Sequence, residues 1–212
     1  MADPDALTDS WSAWSPARAR RYLRTEDAAS TGSRELLGDV LRGLRREELR
    51  ILDLGCGNAQ FYEYLKSVGL RCAYTGVDVS EPLLEAAREI HTGDARVSFA
   101  QADLMTLQGV EGRWDVAVFS HVIEILSGPE DALRAARDRA EFIAIRFFEP
   151  PEFDTDVVEL RHMEVGEGRM VPYLRRKMSR DHYRLILSRI SCRRVDVYRD
   201  EMSKDQVHLL RF

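Results

Sequence analysis

The run Ile51-Leu52-Asp53-Leu54-Gly55-Cys56-Gly57-Asn58-Ala59 puts a carboxylate inside an apolar stretch and two glycines just after it. The apolar residues read as a strand, the glycines as a turn and the residues beyond as the start of a helix. Gly55 and Gly57 let a ligand come close to the backbone, and a helix start offers free N–H groups. Where such a turn faces a pyrophosphate, an apolar residue usually stands at the position of Asp53. A carboxylate there repels phosphate and attracts an amine. Cys56, between the glycines, has no histidine beside it in sequence and fills the turn rather than acting as a nucleophile.

The elements that must hold this run in place follow a rhythm. From Leu49 onward, short Val- and Ile-rich runs alternate with helical patterns, the signature of βα units. Strands are expected at 50–54, 73–77, 96–100, 115–119 and 142–147. The helices between them carry the stripes Phe61, Tyr64, Leu65, Val68 and Leu83, Ala87, Ile90, the latter opened by Ser80 with Pro82 in its first turn. Parallel strands joined in this way make a doubly wound sheet. After the fifth strand the pattern changes: two extended runs flank Gly166-Glu167-Gly168 and predict a β-hairpin, followed by a helix at 180–190 opened by Ser179 and carrying Leu185, Ile186 and Ile190. Two closing strands, 192–198 and 207–212, are joined too tightly for a parallel return and must be antiparallel. Ahead of the sheet, a short helix at 16–25 follows Ser15-Pro16, and a second carries Leu37, Val40, Leu41 and Leu44 with Ser33 at its start. The division is a helical cap over 1–48 and a main domain over 49–212, with an acceptor-site insertion at 149–178.

Composition narrows the function. The 212 residues are 44% apolar and 32% charged, enough for a sizeable core and incompatible with a disordered tail. No apolar run approaches a membrane span and the first residues lack a secretory pattern, so a cytoplasmic location is expected. A net charge of -5 argues against a dedicated nucleic-acid surface. Three cysteines without CxxC or Cys/His clustering, and histidines 91, 162, 182 and 208 without ligand spacing, predict no metal site.

The run DLGCGNA resembles motif I of the class I S-adenosylmethionine-dependent methyltransferases, of the small-molecule type, and the rest of the chain follows that pattern over roughly residues 49–147. The resemblance implies a Rossmann-like α/β fold, a doubly wound seven-stranded sheet with an antiparallel last strand. It also implies S-adenosylmethionine as cofactor. Asp53, Gly55, Cys56 and Gly57 would form its motif I contacts. Asp78, in YTGVDVS and twenty-one positions after Gly57, would bind both ribose hydroxyls with Val79 beside it. Asp103, in AQADLM, would meet the adenine amino group, with Leu104 at the backbone contact. Ser120-His121-Val122-Ile123-Glu124-Ile125 would close the site after strand four, with Ser120 on the cofactor and His121 on the reacting side. The family often has a third glycine where this chain has Ala59.

Methyl transfer from a sulfonium is an in-line displacement, so the enzyme must align acceptor, methyl carbon and sulfur and keep water out. For a hydroxyl or carbon acceptor a base assists, and His121 is the first candidate and Glu149 the second. Tyr22, in the cap, would touch cofactor or acceptor. The pair Phe147-Phe148 and the hairpin with Tyr173 would wall the acceptor, next to the basic run Arg175-Arg176-Lys177. Glu149-Pro150-Pro151-Glu152-Phe153 looks like the Pro-Pro-aromatic motif of amino-group methyltransferases, but it follows strand five rather than strand four and reads as a rigid exit from the sheet. The expected reaction is methylation of an O, N or C atom of a small-molecule acceptor, without nucleic-acid or membrane partners. The alternatives are a non-catalytic methyltransferase-like protein and, disfavoured by Asp53 and by Gln60 in place of a glycine, an NAD-dependent oxidoreductase.

Overall fold

The computed structural model describes residues 9–22, 32–201 and 203–212. Seven strands form one sheet in the order β3-β2-β1-β4-β5-β9-β8, built from β1 (Leu49–Leu54), β2 (Cys72–Asp78), β3 (Val97–Gln101), β4 (Trp114–Ser120), β5 (Ala140–Phe147), β8 (Arg194–Arg199) and β9 (Gln206–Arg211). The first five are mutually parallel, and β9 runs antiparallel to both β5 and β8. The remaining strands, β6 (Val157–Glu164) and β7 (Met170–Lys177), form the separate hairpin that the glycines at 166 and 168 predicted.

Strand alternation sorts the side chains onto two helical layers. Leu52, Leu54, Ala117, Phe119, Ile143 and Ile145 face α5 (Pro129–Arg137) and α6 (Arg180–Arg189). Ile51, Val116, Val118 and Ala144 face α2 (Gly32–Arg42), α3 (Gln60–Ser67) and α4 (Glu81–Ile90). The helix ahead of them, α1 (Pro16–Arg21), is capped by Ser15, whose Oγ accepts from the Arg18 N–H. The sequence expectation ran this helix to residue 25; positions 23–25 lie outside the described residues.

Two helical stripes and one helix start differ from expectation. In α3 the buried set is Phe61, Tyr62 and Leu65, while Val68 is exposed, because the helix begins at Gln60 and its face is rotated toward Tyr74 of β2. In α6 Leu185 points to solvent and Tyr183 takes its place in the core. Ser33 does not cap α2: its hydroxyl donates to Asp205 Oδ2 at 2.6 Å, tying the start of that helix to the loop before β9.

The glycine turn after β1 shows why the motif has its composition. Gly55 has φ +80, and a Cβ on it would stand 2.5 Å from Cγ2 of the buried Val122. Gly55→Ala is therefore expected to destabilise the fold by ~1–3 kcal/mol. The denaturant midpoint measures this, and a midpoint equal to wild type would contradict the close approach. Ala59, where a third glycine is common in the family it resembles, has φ +61 and is fully buried. The cost of that residue is thus conformational, since alanine is held in a backbone region that glycine enters freely.

Candidate active site

The strand order reverses between β1 and β4, and the loops at the carboxyl ends of the strands open there around a cavity of about 370 Å³, in the range of small-molecule sites. Every residue expected on the cofactor lines it: Tyr22, Asp53, Gly55, Cys56, Gly57, Asp78, Val79, Asp103, Leu104 and Ser120. His121 joins them, as do Val158, Tyr173 and Leu174 of the hairpin. Residues more than 140 positions apart thus meet because the hairpin folds back over the sheet edge.

On the β1–β3 side the wall is acidic. Asp53 is buried; its Oδ2 accepts from the Tyr74 hydroxyl, and its Oδ1 is buried with no hydrogen-bond partner. Burial pushes this carboxyl up to about 7, with the Tyr74 hydrogen bond opposing the shift. Asp78 uses both oxygens on the backbone, Oδ2 accepting from the Gly57 N–H and Oδ1 from the Ser80 N–H, each at 2.9 Å. Burial raises its carboxyl and those N–H groups oppose the rise. Asp78 therefore braces the glycine turn as well as facing the cavity. Asp103 is exposed, with Oδ1 on the Met105 N–H at 2.8 Å. Above the turn, Tyr22 lies close enough that a Cβ on Gly57 would come within 3.2 Å of its ring. It is held by Asn58, whose side chain donates to the carbonyls of Ala19 (3.0 Å) and Tyr22 (2.8 Å), and by packing on Trp14. Trp14 and Ala19 are buried with Leu83, Ala86 and Val165, so this described part of the cap is a packed wall of the site.

On the β4–β5 side the wall is basic and histidine-bearing. His121 sits in a left-handed turn (φ +59) at the end of β4, its N–H donating to the Arg146 carbonyl at 2.9 Å. Its Nε2 lies 2.9 Å from Asp205 Oδ2, and Arg146 places Nε and Nη2 each 3.0 Å from the two ring nitrogens. With the proton on Nε2 directed at the Asp205 carboxylate, only the Nη2–Nδ1 contact of the two is a hydrogen bond, and it occupies the ring's lone pair. Burial pulls the imidazole below its usual range, against the raising effect of Asp205. Glu149 does not stand on the cavity wall: its carboxylate lies 3.7 Å from Arg175 and 3.4 Å from Lys177 across the hairpin. Phe147, expected in the acceptor wall, is buried in the core instead, because strand alternation turns it toward Tyr183 and His208. Phe148 is half exposed and packs edge-on against His121.

Arg146, Arg34 and Asp205, around the cavity, were not singled out in the sequence, and Glu124 was named only within the run after strand four. Glu124 is buried, its Oε1 accepting from the N–H groups of Phe148 (2.6 Å) and Glu149 (3.1 Å), its Oε2 without a partner. Arg146 and Arg34 line the same cavity, and Asp205 holds His121 from the loop before β9. A charged residue inside the apolar run Phe142–Phe147 is a signal that could have pointed to Arg146; Asp205 has no local signal at all. Among the described residues no His/Cys/Asp/Glu group is arranged to hold a metal ion, and no helix is long and apolar enough to cross a membrane.

A family model described as "Methyltransferase domain" matches residues 51–141. A Bacillus subtilis (strain 168) protein named as a methyltransferase, YqeM, is 33% identical over 72 residues, which are 34% of this chain and 28% of that protein. The chain thus aligns with little more than a quarter of that relative's length. Among solved structures, the CcbJ methyltransferase from Streptomyces caelestis superposes with a TM-score of 0.70 at 17% identity, over 96% of this chain and 98% of that one. The DhpI-SAM-HEP complex gives a TM-score of 0.67 at 16% identity over the full length of both chains. The reversed strand order with its antiparallel return gives the chain the fold of these solved structures, and residues 51–141, which include the glycine turn at the switch point, are similar to a methyltransferase domain.

Proposed function

We propose that the protein transfers a methyl group from S-adenosylmethionine to an O, N or C atom of a small-molecule acceptor. The observation that carries this reading is the convergence on one cavity of Asp53, with its unpartnered buried Oδ1, the glycine turn, Asp78 and Asp103. The donor set fits the cofactor. An ammonium would satisfy Asp53, ribose hydroxyls would meet Asp78, and the adenine amino group would meet Asp103 beside Leu104. Gly55, Cys56 and Gly57 give the backbone approach, with Val79, Ser120 and Tyr22 completing the enclosure. When bound, the cofactor's sulfonium supplies an electrophilic methyl group. The chain's part is to align the acceptor with it, exclude water through the Tyr22 and Tyr173 walls, and hold the acceptor's proton. His121 is the proton acceptor in this reading, with Asp205 fixing its tautomer and stabilising the imidazolium. Glu149, tied to Arg175 and Lys177, is set aside for that role. Incubating the protein with a methyl-labelled cofactor and a metabolite extract, then finding the labelled product by mass spectrometry, tests the reading and names the acceptor. Binding without any labelled product across extracts would favour a non-catalytic protein.

The Asp53 carboxyl makes cofactor binding pH-dependent with a definite sign. A carboxyl titrating near 7 is largely protonated at pH 6, and an ammonium ligand would draw its pKa down, so binding releases a proton and affinity rises as pH goes from 6 to 8. The same shift makes folding stability fall as pH rises between about 4 and 7, since the folded state there binds more protons than the unfolded chain. Calorimetric titration of S-adenosylhomocysteine at pH 6.5, in two buffers of different ionisation enthalpy, should report net proton release. Asp53→Asn should remove it, and an unchanged release in that variant would assign the proton to another group.

A further inference from the structure

Arg146 is a cation in an unusual position. It lies on β5, two residues beyond Ala144 on the face toward α2, and is only 5% exposed. Its Nε and Nη2 meet the neutral ring of His121, and nothing among the described residues accepts from its Nη1 or stands as a carboxylate in ion-pair contact with it. Buried charges are normally paired, because the desolvation cost of an unpaired guanidinium is large. Asp205, Asp53 and Glu124 act on it without ion-pair contact, and Asp205 is already shared by His121 and the Ser33 hydroxyl. Burial lowers Arg146 to about 10, and the charge of Arg34 adds to that effect. Arg176, on β7, brings a third guanidinium to the same cavity, with a buried Nε that has no hydrogen-bond partner.

Arg146 and Arg34 act on one another electrostatically and Arg176, paired with Asp156 through Nη1, enters the same cavity from the hairpin, whereas the carboxylates that suit a cationic cofactor lie along β1 to β3. We propose that Arg146, with Arg176 and Arg34 around it, forms a subsite for an oxyanion of the acceptor, so that the molecule methylated is a small acid bearing a carboxylate or a phosphate-type group. Nη1 of Arg146 binds the anion, Nη2 leaves His121 Nδ1 when that nitrogen takes the acceptor's proton, and Arg176 Nε supplies a second donor from the hairpin. Charge-assisted bonds of this kind fix orientation as well as affinity, which an in-line displacement requires. The anchor also sits beside the ring that would take the acceptor's proton. The inference rests on the methyltransferase reading and goes further than it, by naming the acceptor's charge class.

The test uses the full chain saturated with S-adenosylhomocysteine, so that the cofactor's own carboxylate is already in place. Inorganic phosphate, acetate and the neutral control glycerol are titrated separately, followed by calorimetry and by the ring ¹⁵N shifts of His121. The expected result is saturable binding of phosphate or acetate, whichever the subsite prefers, with movement of the His121 resonances and no response to glycerol. Arg146→Gln should weaken that binding at least tenfold. Absence of anion binding, or binding that leaves His121 unmoved, overturns the proposal; the shift measurement needs no variant and stands even if Arg146→Gln does not fold. Competition between phosphate and S-adenosylhomocysteine, or an equal loss of both ligands in Arg146→Gln, would assign the guanidinium to the cofactor's carboxylate and likewise overturn it. Failure of S-adenosylhomocysteine to bind at all would instead remove the methyltransferase reading beneath.

Discussion

Replacing His121 with alanine should lower the turnover number about 100-fold or more, equivalent to ~2.7 kcal/mol of transition-state stabilisation, while leaving cofactor affinity nearly intact. The expectation follows from where the ring is held. It turns over the end of β4 in a left-handed conformation, its Nε2 is fixed by Asp205, and its Nδ1 lone pair faces Arg146 Nη2 at 3.0 Å, a contact that must open for the ring to take the acceptor's proton. A base must be deprotonated to act, so the wild-type rate should rise with pH through the imidazole pKa. Burial moves that limb below the usual value of about 6.5, so the enzyme should retain its activity further into acid than an exposed histidine would allow. In His121→Ala this limb should disappear. If the ring only packs between Arg146 and Phe148, the substitution will instead lower the melting temperature and leave the rate near wild type wherever the variant is folded. A stable variant with unaltered turnover and pH profile would exclude His121 as base and leave catalysis to positioning.

Asp78→Ala should weaken S-adenosylmethionine binding at least tenfold in calorimetry. A charged acceptor for two ribose hydroxyls is lost, each such bond contributing ~1.5–3 kcal/mol. The geometry adds a second cause, because the same carboxylate accepts from the N–H groups of Gly57 and Ser80 and so stiffens the turn that approaches the ligand. The two causes separate in a double-mutant cycle with a cofactor analogue lacking the ribose hydroxyls. Direct contact predicts that the analogue binds wild type and variant with nearly equal affinity; bracing alone predicts the same ratio for analogue and cofactor. Unchanged binding of the cofactor itself would refute the assignment of Asp78.

What was legible in the sequence was what short-range patterning encodes. The five parallel strands, the hairpin at Gly166 and Gly168, the Ser179 cap and the antiparallel closing pair all follow from periodicity, turn residues and connection length. That Asp53, Gly55, Gly57, Asp78 and Asp103 share one cavity was expected from the family resemblance, and it is met because each stands at or just beyond a strand end and parallel strands bring their carboxyl ends to one edge. The opposite wall of the cavity depends on long-range closure. Asp205 reaches His121 only because β9 returns beside β5, and Tyr173 reaches the cavity only because the hairpin folds over the sheet. Glu149 was misplaced for the same cause, since the partners that draw it away, Arg175 and Lys177, lie on that hairpin. The helix faces of α3 and α6 differed because a rotation of one residue exchanges neighbours on a stripe, as Tyr62 for Val68 and Tyr183 for Leu185 show.

In the proposed reading the cavity at the reversal of the strand order is built for S-adenosylmethionine. Parallel calorimetric titrations of the full chain with S-adenosylhomocysteine and with NAD test it most directly. Saturable one-to-one binding of S-adenosylhomocysteine with no heat from NAD is the predicted result; binding of NAD in its place, or of neither, would contradict it.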